Sequence, residues 1–234
     1  MKTIDNIDFK INTEELILMI GAELSSERVN QMIEDNADFI NQSYHLIQPK
    51  AIFDVFNVEK VLGDRLYLNS HEYFESKLFS YFMSDAKYIT LSIMTIGNRI
   101  EEESDKYMKS GKYVKGFILD GIGTLALEKL GLELYECIKE EARERGLNFS
   151  SPLSPGQVGW DVKDQEKVFS RLNAGMIGIK LTESSLMIPK KSVSLAVGIG
   201  ENMRADKKAC NFCPLRKTCP SRKVKDYQET NDVV

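Results

Sequence analysis

A stripe of apolar residues constrains this chain more than any other feature. Ile118, Ile122 and Leu125 begin it, and Leu127, Leu130, Leu134 and Ile138 continue it at helical spacing. With Gly146 as a natural C′ residue, the pattern predicts one long helix from about Tyr113. Gly121-Ile122-Gly123-Thr124-Leu125-Ala126 formally matches a dinucleotide fingerprint, but that motif needs a preceding strand and an acidic residue closing a second one. Here the stripe runs helically through the glycines, so they are read as close packing against a neighbouring element.

Strand signals lie on both sides of this helix. Ala51 to Phe56 and Arg65 to Leu68 read as strands, and Tyr88 to Met94 as a buried one. Ser192 to Ile199 alternates, with Val193, Leu195, Val197 and Ile199 on one face and small residues on the other. Ile177 to Ile188 reads as a strand whose parity shifts near Glu183-Ser184-Ser185, which predicts a bulge there and places Lys180, Thr182 and Ser184 on one side. Further helices are expected at Thr13 to Gly21, from a Ser25 or Ser26 N-cap through Ile40 to a limit at Pro49, at Ser70 to Phe82, and at Asp164 to Leu172. Helices and strands mixed without regular alternation give an α+β class. Ser151-Pro152-Leu153-Ser154-Pro155-Gly156 is too rich in Pro and Ser for regular structure and is expected to be a defined loop.

The 234 residues carry a formal net charge of −4, which argues against a whole-molecule nucleic-acid binder. No apolar run is long enough to span a bilayer, and Met1-Lys2-Thr3-Ile4-Asp5 begins no secretory signal, so a cytosolic location is expected. The two histidines, His45 and His71, leave little room for histidine-based catalysis or a His-rich metal site.

Cys210, Cys213 and Cys219 fall within a short basic segment with Lys207, Lys208, Arg216, Lys217, Arg222 and Lys223. In a reducing compartment these read as thiolate ligands, and the basic surroundings favour the deprotonated form. Zinc and an iron–sulfur cluster both suit such a set, the Cys-Pro step favouring the cluster. A fourth ligand is not obvious: Cys137, alone on the long helix, is a candidate, although a lone helical cysteine is more often a small core residue. The chain is therefore divided into a domain at 1–205, with N-terminal helices over about 12–48, and a cysteine-rich tail at 206–234.

Ser154-Pro155-Gly156, Trp160, Gln165, the block Ile177-Gly178-Ile179-Lys180-Leu181-Thr182-Glu183-Ser184, Met187, Pro189 and Ser192-Val193-Ser194 together resemble the activation domain of cobalamin-dependent methionine synthase. The likeness runs loosely from about Pro49 to Gly200, and is closest to free-standing bacterial members with a similar cysteine-rich end. It implies a curved antiparallel sheet packed with helices. It also implies a role in reactivation: an oxidised cob(II) corrinoid is reduced by one electron and trapped as methylcobalamin, with S-adenosylmethionine as methyl donor.

The resemblance further implies that Ser154, Pro155, Gly156 and Gln157, with Lys180, Thr182, Glu183 and Ser184, contact the cofactor. Cobalamin would be presented by a partner, either a corrinoid-binding methionine synthase or another corrinoid protein, with a separate electron donor and neither nucleic acid nor membrane involved. Where the family reads Arg-x-x-Pro-Gly-Tyr, this chain has Pro152 through Gln157, so Lys180 or Lys190 is the candidate to replace the missing Arg. A non-catalytic corrinoid-protein-binding scaffold that has lost S-adenosylmethionine binding is the rival reading. For the tail, an electron relay and a structural staple stand side by side.

Overall fold

The Tyr88–Thr95 strand is buried on both faces because both are covered. In the computed structural model, which describes residues 1–207 and 209–231, this strand is the middle of a five-stranded, wholly antiparallel sheet. Along the chain the elements are β1 (Lys2–Ile4), α1 (Thr13–Met19), α2 (Glu27–Asp35), α3 (Ala37–Gln42), β2 (Lys50–Asn57), β3 (Lys60–Leu62), β4 (Arg65–Tyr67), β5 (Tyr73–Glu75) and α4 (Phe79–Phe82). Then come β6 (Tyr88–Thr95), α5 (Arg99–Lys109), α6 (Tyr113–Glu144), β7 (Asn148–Phe149), α7 (Gln165–Arg171), β8 (Lys180–Leu181), β9 (Met187–Ile188), β10 (Ser192–Gly200) and α8 (Pro220–Asn231). The large sheet runs β1-β2-β6-β10-β7 and curls into a half-barrel; β3-β4-β5 and β8-β9 form small sheets of their own. The α+β class with a curved antiparallel sheet is the observed architecture.

Alternation along the strands separates two cores. Ala51, Phe53, Met94 and Val197 point to one, where α6 and α1 supply Leu16, Ile118, Ile122, Leu130 and Leu134. Ile52, Ile89, Leu91, Ile93 and Ala196 point to the other, covered by Phe74, Phe79, Trp160 and Val168. The glycines of α6 work as expected from sequence. A Cβ on Gly121 would lie 2.8 Å from Ile20 Cγ2 and 3.0 Å from Leu16 Cδ1, and one on Gly131 would lie 3.0 Å from Met94 Cε. Both let the helix lie close to its neighbours.

Four expectations are corrected. The segment 70–82 is not one helix: Phe74 pairs with Leu66 in β4–β5, and only Phe79–Phe82 is α-helical. Pairing that buries Phe74 overrides local helical preference. The helix expected from Ser26 breaks at Asn36, whose side-chain amide donates to Met32 O at 2.8 Å and ends α2. The run 177–188 is not a bulged strand but a hairpin. A 3-10 turn at Ala174–Ile177 and a left-handed Gly178 (φ 77°) precede β8, and the chain reverses before β9. Thr182 N donates to Leu186 O (2.8 Å), Leu186 N to Thr182 Oγ1 (3.1 Å), and Ser185 adopts φ 58°. The parity shift is thus a chain reversal, and Lys180, Thr182 and Ser184 do not share a strand face. Finally, Cys137 is exposed on the outer side of α6, so it is not a core residue. The sequence signals also missed β1, β3, β5, β7, α5 and α8, which are short or charge-rich.

The C-terminal segment folds back onto the body. Val224 of α8 is fully buried in the α6-side core, and Gln228 Nε2 donates to Glu15 Oε1 at 2.7 Å. Glu128 of α6 faces the same helix; burial, with Glu15 nearby, raises its pKa, against hydrogen bonding from Ser221 and the charge of Lys225. Among the described residues no helix is long and apolar enough to cross a membrane.

Candidate functional site

The long helix delivers the chain to the open edge of the sheet. Past Gly146 (φ 65°), β7 pairs with the end of β10, and Ser150 extends the pairing: its N–H donates to Gly198 O (2.8 Å) and its Oγ accepts from Gly198 N (3.0 Å). Leu153 then exchanges two backbone bonds with Ala196, at 2.9 and 2.7 Å. The hydroxyl of Tyr135 reaches from α6 to donate to Ser150 O at 2.9 Å. Burial pushes the Tyr135 pKa up to about 12, so it remains a neutral donor at ordinary pH. The stretch predicted as an irregular loop is therefore laid along β10 as far as Leu153, and departs from the sheet at Ser154.

From there the loop turns outward and is pinned at its far end. Gln157 N donates to Ser154 O (3.1 Å) and Gly156 N to Trp160 O (2.9 Å), with Gly156 at φ 91°, a conformation that favours glycine. Trp160 is buried edge-on against Phe79 and Phe74, with centroids 4.9 and 5.9 Å away. Its indole N–H donates to Asp164 Oδ2 at 2.8 Å.

Three consecutive residues at the start of α7 hold the region together. Asp164 accepts from the Trp160 indole and from Glu75 N (3.2 Å), and pairs with Lys167 Nζ at 2.7 Å. Gln165 Oε1 accepts from Ser194 Oγ of β10 at 2.6 Å. Glu166 Oε1 accepts from Ser185 Oγ, inside the hairpin reversal, at 2.7 Å. One turn thus ties the loop, the sheet and the hairpin. Asp164, Glu166 and Ser185 were not among the residues picked from sequence. Their signal was three adjacent polar residues opening a short helix, two of them, Asp164 and Gln165, buried here.

Of the residues picked from sequence, Ser154 and Pro155 are buried, while Gly156 and Gln157 are exposed at the loop tip. Lys180, Glu183 and Ser184 are exposed and Thr182 is half-buried. α7 brings the two groups into one region, although no hydrogen bond among the described residues links Ser154–Gln157 directly to Lys180–Ser184. Lys190 lies beside α5: its N–H donates to Glu101 Oε2 (2.8 Å), and its amine lies 3.9 Å from Asp105.

A shallow cavity of about 380 Å³ lies beside Asp164, lined by Glu75, Ser76, Gly159, Asp161 and Lys167. It does not include Ser154–Gln157. Two buried side-chain oxygens among the described residues have no partner, Thr90 Oγ1 in the sheet and Ser154 Oγ in the loop.

The cysteine segment begins beside this loop. Ser151 Oγ bonds to the carbonyls of Ala205 (2.8 Å) and Lys207, and Lys207 Nζ donates to Tyr81 O at 2.6 Å. Phe212 stacks edge-on against Tyr81 and Phe82, at 5.4 and 6.1 Å. Cys210 lies in the 3-10 turn Ala209–Phe212 and Cys213 just past it, its N–H donating to Cys210 O at 3.2 Å, while Cys219 O accepts from Lys223 N at the start of α8. All three thiols are half-buried and unbridged. Among the described residues no three metal-binding groups gather closely enough to hold a metal ion. As they stand, Cys210, Cys213 and Cys219 are strung along successive turns and do not converge on a centre. Lys208, counted among the basic neighbours, lies outside the described residues.

Comparison with known proteins bears on fold. No family model matches the chain, and no curated protein matches it. Among solved structures, the crystal structure of the MetH reactivation domain bound to AdoHcy is similar over 91% of this chain and 80% of that one, with a TM-score of 0.60 and 13% identity. The chain has the fold of that reactivation domain.

Proposed function

We propose that this protein is a free-standing reactivation partner for a corrinoid protein, binding S-adenosylmethionine as methyl donor for the reductive remethylation of an oxidised corrinoid. The observation that carries the reading is the fold, shared over 91% of the chain with a reactivation domain captured with AdoHcy. The loop at Ser154-Pro155-Gly156 supports it. The loop sits on the open edge of the curved sheet, exposes Gly156, and holds an unpartnered buried hydroxyl suited to a polar ligand.

When bound, S-adenosylmethionine supplies an electrophilic methyl group; this chain's share is to bind and orient it. Ser154 and Gly156 are placed to contact the ligand from the loop, where the Gln157 side chain accepts from Ser154 N at 3.2 Å. Lys180, Thr182, Glu183 and Ser184 face solvent or its margin from the hairpin, and the Glu166–Ser185 bond sets the hairpin's position relative to the loop. Positioning is the catalytic device on this reading. The corrinoid is presented by a methionine synthase or another corrinoid protein.

The absent Arg at position 152 favours a second reading, a scaffold that binds the corrinoid protein without the methyl donor. Calorimetry on the full chain separates the two. Saturable binding of S-adenosylmethionine, together with co-elution with a corrinoid protein, supports reactivation; no ligand binding with retained co-elution leaves the scaffold.

Nothing in this proposal is routed through the tail cysteines. Equal reactivity of all four cysteines toward a thiol reagent in the native protein, before and after chelation, would count against a metal held by Cys210, Cys213 and Cys219. Protection of three of them until a chelator is added would show that the tail closes around a metal, with iron or zinc then distinguished by absorption spectrum and metal analysis.

A further inference from the structure

Ser154 carries two donors with unusual standing. Its hydroxyl is buried and unpartnered, in a residue only 6% exposed. Its N–H is held by one contact, from Gln157 Oε1 at 3.2 Å, the long end of the hydrogen-bond range. Gln157 is exposed at the loop tip. An unpartnered buried hydroxyl is unfavourable, and an Ala of nearly the same shape would remove that penalty.

We propose that Ser154 presents its N–H and O–H together to an acceptor group of the adenosyl ligand, and that Gln157 Oε1 is a built-in placeholder which the ligand displaces. This deepens the function proposed above and rests on it. The loop conformation is already set without the Gln157 side chain. Leu153 is paired to Ala196, Gly156 N is bonded to Trp160 O, and Trp160 is fixed by Asp164. Displacing the amide therefore exchanges one acceptor for another and leaves the backbone in place. Because the donors are neutral, they take the place of the absent Arg without forming an ion pair, and the resulting affinity is modest and nearly independent of salt. Two ligand groups have the required chemistry, the amino-acid carboxylate and the acceptor atoms of the adenosine.

The test is calorimetry and thermal melting of the full chain and its Ser154→Ala and Gln157→Ala variants, titrated with S-adenosylhomocysteine and with 5′-methylthioadenosine, which lacks the amino-acid portion. Ser154→Ala should weaken binding about 3- to 10-fold, the range expected for one hydrogen bond, while its melting temperature stays the same or rises. Gln157→Ala should tighten binding about 2- to 5-fold, because no internal acceptor has to be displaced. A Ser154→Ala loss with both ligands puts the acceptor on the adenosine, and a loss with S-adenosylhomocysteine alone puts it on the carboxylate; either supports the proposal. Unchanged affinity in Ser154→Ala, or weaker binding in Gln157→Ala, overturns it while leaving the function intact. A wild-type chain that binds neither ligand overturns both.

Discussion

The two faces of the curved sheet are covered by opposite means. One lies under a continuous helix of 32 residues, backed by α1 and α8, whose core contacts are largely apolar and whose glycines let it approach closely. The other lies under short pieces: a three-stranded sheet, a loop, the seven-residue α7 and a two-stranded hairpin. These pieces are too short to be stable by themselves and are joined by side-chain hydrogen bonds through Asp164, Gln165 and Glu166. The candidate ligand loop belongs to the second face. A continuous helix gives rigidity with few chemical groups to offer a ligand, whereas pinned loops present backbone donors and polar side chains in fixed positions.

Substitutions should separate the two faces. The largest effect is expected from Trp160→Ala, which empties the aromatic contact with Phe74 and Phe79 and frees Asp164; it should destabilise by about 3–5 kcal/mol and abolish ligand binding. Denaturant unfolding measures the first and calorimetry the second. A loss under about 1 kcal/mol would show that the loop side is not anchored there. Gly121→Val inserts atoms where Leu16 and Ile20 already stand, and should cost about 1–3 kcal/mol on the helical face without changing ligand affinity in the folded protein.

Asp164→Asn can keep the one oxygen that accepts from both the Trp160 indole and Glu75 N, but it breaks the Lys167 ion pair and sets an amide NH2 against the Lys167 ammonium. A cost of about 1–3 kcal/mol is expected, with faster amide exchange in 154–160 and in β5 but not in α6. Equal acceleration in α6 would mean that the two faces unfold as one unit. The smallest effect should come from Glu128→Gln. Burial raises the Glu128 pKa in the folded protein above its unfolded value, so its contribution favours the fold below the unfolded value and is lost as pH rises through the folded one. At neutral pH the variant should hold α8 slightly better, within about 1 kcal/mol, and melts at a series of pH values should show a flatter profile across that window.

The helical face was legible from sequence because its signal is local. The 3.6-residue stripe of α6 and the alternation of Val193, Leu195 and Val197 need no distant partner to be read, and the buried run of β6 announces coverage on both sides. The second face was read less well for the complementary reason. Phe74 is in a strand because Leu66 lies opposite it, not because its neighbours prefer one. The shift of parity before Leu186 is compatible with a bulge or a reversal, and only the Thr182–Leu186 bonds decide for reversal.

The same division holds for the candidate site. Sequence by itself determined the α+β class, the long helix, the strands at the sheet's centre, and which blocks, Ser154–Gln157 and Lys180–Ser184, resemble a ligand-binding family. Tertiary structure alone decided that Asp164, Gln165 and Glu166 join those blocks, that Lys190 turns to α5, and that the tail thiols lie along separate turns. Periodicity records which side of an element is buried. Which polar groups meet depends on contacts between residues far apart in the chain, such as Ser194 with Gln165 or Glu75 with Asp164, and no local pattern encodes those.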